Sequence, residues 1–145
     1  MMDPAAVRAG LAANLSTLAA PFLAYAAEPI APEPPCGWPW PDEPFIDRDA
    51  MLKGVMCMHW KLVVLVQSGD NEHGVDQLDS YLVTAGEKSV WAAIESDRKS
   101  PNGALNGAAS DVIVAGVRRF DGNYIIAGNG YFAAEFLVTV YGTGN

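Results

Sequence analysis

Residues 131–141, YFAAEFLVTVY, alternate with a period of two. Phe132, Ala134, Phe136, Val138 and Val140 fall on one side. Tyr131, Ala133, Glu135, Leu137, Thr139 and Tyr141 fall on the other. Successive side chains of a strand point to opposite faces, so this stretch fits a sheet with one face turned to a core. A second strand is read over 58–66, MHWKLVVLV. Met58, Trp60, Leu62, Val64 and Val66 share its apolar face, while His59, Lys61, Val63 and Leu65 share a face that turns apolar toward its end, as in a central strand. FLAYAA at 22–27 and DVIVAGVRR at 111–119 are two further strands. Residues 121–130, DGNYIIAGNG, link the last two, with Gly128-Asn129-Gly130 as a hairpin turn.

The remaining periodicity is helical. Asp3 can cap a helix over about 4–19, Pro4 suits its first turn, and Val7, Leu11, Leu15 and Leu18 share a face before Pro21 stops it. The run after Arg8 also has the outline of a signal peptide. Asp3 and the polar Asn14, Ser16 and Thr17 oppose that reading and exclude a span of ~20 apolar residues. SGDNEHG at 68–74 reads as a loop. Val75, Leu78, Tyr81 and Leu82 form one helix face, and Val90, Trp91 and Ile94 another. These elements describe an α+β fold: a single mixed, mainly antiparallel sheet with two to three helices packed on one face, in one domain of 145 residues.

Two segments resist this grammar. PEPPCGWPWPDEP at 32–44 holds six of the ten prolines and two of the four tryptophans, with three acids and no Lys or Arg. Proline cannot donate to a ladder, so the segment 29–47 is expected to be extended and at most an edge strand. Trp38 and Trp40, with Asp42, Glu43 and Phe45, are candidates for a subunit interface. Closure of the chain's own core by the two tryptophans is the equal alternative. SPNGALNGAAS at 100–110 reads as a flexible loop. Asn102, Leu105 and Asn106 are candidates there for contact with a neighbour, with a disordered tether as the alternative.

Charge narrows function. The net charge is −8 and the isoelectric point about 4.5, which disfavours nucleic-acid binding through clustered Lys and Arg. Cys36 and Cys57 are expected to be free thiols. Cys57-x-His59, with Cys36, is a weak metal pattern, and a tucked thiol beside a surface imidazole is the stronger reading. No nucleophile has a local signature. Neither a cofactor nor a metal is expected, and the chain does not read as an enzyme. Arg118-Arg119 is either a solvated strand end or a partner for a nearby acid.

From Pro34 onward the order of motifs resembles the tail terminators, or head-to-tail connector proteins, of actinobacterial siphophages, similar in fold to the lambda-type minor tail protein U. The pieces are PPC at 34–36, DRDAMLKG at 47–54, HWKLVVLV, then QLDSYLVTAGEKSVWAAIESDR at 77–98, SDVIVAGV at 110–117 and YFAAEFLVTVYG at 131–142. SVWAAIESDR is the most specific. The departure is GWPWPDEP, where the family pattern has an ordinary β-forming stretch. The resemblance implies a virion neck protein assembled in the host cytoplasm. It implies a homohexameric ring that caps the tail tube protein and meets a head-side connector or stopper protein. Genomic DNA would pass through the lumen without specific binding, and no membrane is involved. Arg118 and Arg119 join the interface candidates. A stopper or head-completion subunit is the nearest alternative, and a secreted binding domain a more distant one.

Overall fold

The computed structural model describes residues 2–47, 55–66, 71–101 and 103–143. Five strands form one sheet: β1 (Leu23–Ala24), β2 (Cys36–Asp47), β3 (Val55–Val66), β4 (Asp111–Ile126) and β5 (Asn129–Thr143), in the order β1-β2-β3-β5-β4. The β1/β2 pair is parallel and the other three pairs are antiparallel. The helices are α1 (Pro4–Leu15), α2 (Asn71–Leu82) and α3 (Val90–Ile94). All three pack on one face, so the α+β class and the single mixed sheet are as expected.

Local chemistry sets the helix ends. The Asp3 carboxylate accepts from the Ala5 N–H at 3.1 Å, and Pro4 occupies the first turn. The Ser16 and Thr17 hydroxyls donate back to the carbonyls of Ala13 and Asn14. Such back-bonding competes with the next helical turn, and α1 stops at Leu15, short of the expected 19. Ser89 caps α3 through its hydroxyl on the Ala92 N–H. α2 begins at Asn71, so 71–74 form its first turn rather than a loop.

The core follows the alternation. Met58, Trp60, Leu62, Val64 and Val66 of β3 and Phe132, Ala134, Phe136, Val138 and Val140 of β5 are buried together with Val7, Leu11, Leu15, Leu78, Tyr81, Val90 and Ile94 from the helices. Trp91 meets Phe136 edge to face, ring centroids 6.4 Å apart.

Two expectations need correction. β4 runs sixteen residues to Ile126, so 121–126 are strand and not linker. Register shifts after Val114 and Phe120 let the strand absorb residues that spoil the alternation. The turn that follows is Ala127-Gly128, both at positive φ (51° and 84°) as a two-residue type I′ hairpin requires.

The segment 100–110 is the second correction. Its described residues carry local structure that packs on the chain's own core. Ala104 and Ala109 form an antiparallel bridge around a 3-10 turn, Leu105–Gly107, and Leu105 is 1% exposed. The Asn106 N–H donates to Asp97 Oδ2 at 2.8 Å. The turn fits because position 10 is glycine: a Cβ there would sit 2.8 Å from the Leu105 Cβ and carbonyl oxygen.

Candidate functional site

None of the described helices packs on the other face of the sheet. Register assigns it Cys36, Trp38 and Trp40 of β2, His59, Lys61, Val63 and Leu65 of β3, the Glu135 series of β5, and Arg118 and Phe120 of β4. One end carries a second apolar cluster: Cys36, Trp38, Val63, Leu65, Ile126 and Ala133, with Tyr25, Phe120, Tyr124 and Tyr131 against it. Trp38 is 1% exposed at its centre. It closes the chain's own core, the second of its two readings, and offers no surface to a neighbour. Burial pushes the Cys36 thiol from 9.0 up to about 12. Trp40, two residues on, is 42% exposed.

The middle of this face is ionic. Glu135 is 5% exposed. Its carboxylate faces Lys61 and Arg118, each at 3.3 Å, and accepts from the Tyr124 hydroxyl at 3.3 Å. Arg118 also reaches Asp42 at 3.8 Å. The five side chains come from β2, β3, β4 and β5, so the network crosses the four long strands. Burial and the Glu135 charge together raise the Tyr124 hydroxyl above its ordinary value. A carboxylate this buried is costly unless paired, and the two cations with the phenol supply the pairing.

The other candidates scatter. Phe45 turns to the helix side, packing edge to face on Trp60 at 4.9 Å, while the Arg8 guanidinium lies 5.6 Å from the Trp60 ring centre. Phe45 therefore packs on the chain's own core. Glu43 is exposed. Leu105 is buried under α1 and Asn106 is exposed beside it. Asn102 and most of DRDAMLKG lie outside the described residues. Arg119 pairs with Asp79 of α2. Both arginines thus take acidic partners, one of the two readings of that pair. Sequence reasoning passed over Glu135, although a single acid in an otherwise apolar strand was the signal that a cation lay across the sheet.

The prolines of β2 have a direction. The carbonyls of Pro35 and Gly37 accept from Leu23 and Tyr25 at 3.0 and 2.8 Å, so odd positions point away from β3. Pro39 and Pro41 continue that outward row up to the register break before Ile46. Pro39 is buried and Pro41 half-buried, and neither carries the donor that an added strand would use. On the far edge, the outward N–H of Val114 donates to Glu95 Oε2 at 3.0 Å. Arg98 clasps Asp111 nearby at 2.7 Å and holds its carboxyl below the usual range.

No disulfide joins Cys36 and Cys57. Cys36 opposes Leu65 of β3, which lies eight residues along that strand from Cys57, on the order of 26 Å at a strand's rise. That distance removes Cys36 from any site built on Cys57 and His59. Among the described residues no three His, Cys, Asp or Glu side chains gather as a metal site would, and no helix is long and apolar enough to cross a membrane. No protein-family model, curated protein or solved structure matches the chain.

Proposed function

We propose that this chain is a structural protein of a siphophage neck: a tail terminator that forms a six-membered ring, ends growth of the tail tube and joins it to the head connector. The observation that supports the reading best is how the sheet treats its edges. One edge lacks donors at Pro39 and Pro41, and the other is capped at Val114 by a carboxylate. Such a sheet resists open-ended strand addition and leaves faces and loops for association. That restriction is compatible with association into a closed ring. The family resemblance supplies the number six and the place in the particle.

Acidity fits the same role. Six copies at −8 carry −48, and DNA with one charge per ~1.7 Å slides past an acidic wall more readily than past a basic one.

Native mass measurement of the purified protein, followed by electron microscopy of particles, tests the proposal. A six-fold ring with a central hole between tail tube and head is expected, with subunit contacts above ~1,000 Å². A lone subunit in the particle overturns it.

A further inference from the structure

We propose that Asn106-Gly107 is a gated site of self-modification: the Asn106 side-chain amide is lost to the chain's own backbone only when the turn around it opens, and the isoaspartyl product cannot close that turn again. The inference does not rest on the ring reading.

An asparagine followed by glycine can cyclise without an enzyme. The Gly107 nitrogen attacks the Asn106 Cγ, a C–N bond forms, and the side-chain nitrogen leaves as ammonia. Water then opens the succinimide at either carbonyl and leaves an aspartyl or an isoaspartyl residue. Glycine favours the step because it has no side chain to shield its nitrogen and leaves the backbone free to rotate. The chain has three such pairs. Asn129-Gly130 is held in the β4/β5 ladder, and Asn102 lies outside the described residues. Asn106 is exposed at the tip of the 3-10 turn.

The closed turn withholds the nucleophile. The Gly107 N–H donates to the Ala104 carbonyl at 3.1 Å, and Asn106 sits in the left-handed well at φ 57° and ψ 36°. Attack requires that nitrogen free and that backbone rotated. Yet the turn is poised to open. Leu105 also has a positive φ, 53°, which a bulky L side chain adopts only under constraint. The constraint comes from outside the turn. Leu105 is seated beside Gly10 at 1% exposure, and the Asn106 N–H donates to Asp97 Oδ2 at 2.8 Å. Asp97 is itself placed by Asn14 Nδ2 at 3.3 Å. Releasing these contacts relieves the strain, so the tip opens at less cost than the sheet beneath it.

The change is one-way. Isoaspartate routes the backbone through the side chain and inserts a methylene between Leu105 and Gly107. The N–H groups of Gly107 and Ala108 then lose their register with the carbonyls of Ala104 and Leu105. The product also places a new carboxylate near Asp97, on a chain already at −8.

Peptide mapping by mass spectrometry of the full chain, held in warm neutral buffer, tests the site. A linear peptide of residues 100–110 serves as the open limit. Wild type should gain acid at Asn106 at least tenfold more slowly than the peptide. Asp97→Ala should speed the gain about tenfold, as loss of a hydrogen bond to a charged acceptor does. Leu105→Ala empties the seat, keeps the carboxylate and should speed it as well. Amide exchange of the isoaspartyl form should be fast at 104–109 and unchanged in β3 and β5. No acid at Asn106 in any of the three proteins by the time the peptide is spent overturns the proposal. So does wild-type conversion at the peptide's rate, a pair of variants no faster than wild type, or an isoaspartyl form whose turn keeps wild-type protection.

Discussion

The two faces of the sheet are buried by different means. On one, Trp60, Leu62, Phe136 and Val138 lie under three helices in a continuous apolar core. On the other, aromatic rings cover one end around Trp38, and ion pairs around Glu135 close the middle. The first face is held by volume and the second by partners. A substitution that removes volume should therefore hurt the first face most. One that removes a partner should hurt only the second, and its effect should vanish when the group left behind is also removed.

The largest expected effect is on the helix face. Phe136→Ala should cost about 3–5 kcal/mol in denaturant unfolding, as truncation of a filled core does. A loss below about 1 kcal/mol would show that the helices do not depend on that strand face. Trp38→Ala should come next, near 3 kcal/mol, because its cluster lies at one end of the sheet and water can enter the space left. A chemical readout accompanies it. In the wild-type fold the buried Cys36 thiol should resist disulfide reagents at pH 8, and the substitution should make it react. Equal labelling of both proteins would break the picture of a sealed end.

Arg118→Ala should cost about 1–3 kcal/mol, since it leaves the buried Glu135 carboxylate with fewer partners. In a Glu135→Leu background the same change should cost almost nothing. The cycle isolates the pairing from side effects, and equal losses in both backgrounds would mean that Arg118 acts by packing alone.

The smallest effect concerns Asp111, whose folded carboxyl titrates below its ordinary value because Arg98 bonds it. A depressed acid contributes stability above its unfolded pKa and loses it as pH falls through the folded one. Arg98→Ala should therefore flatten the acid limb below about pH 4. The pair is open to solvent, so screening should keep the change at neutral pH small. An unchanged acid limb would remove Arg98 as the cause.

The first face was readable in sequence because every constraint on it is local. Alternation in β5, the Asp3 cap and the Leu78 and Ile94 helix faces each fit within a dozen residues. The second face was not, because its order comes from distant pairings. Glu135 needs Lys61 from β3 and Arg118 from β4, and Trp38 needs Val63 and Ile126 across the sheet. Leu105 was misread for the same reason. Its small neighbours look like a mobile loop until Gly10, far off in sequence, provides its seat. The interface candidates rested on residue type, and type does not separate Trp38, inside, from Trp40, partly outside. The functional assignment came through resemblance in the order of motifs.

Proline deletes the N–H of an edge but keeps its carbonyl. Along β2 the outward row at Pro39 and Pro41 therefore presents oxygens without hydrogens. That side of β2 keeps its acceptors and loses its donors at Pro39, which is buried, and at Pro41, which is half-buried. The two sides of β2 are thus chemically unequal, a sidedness independent of the chain's formal charges.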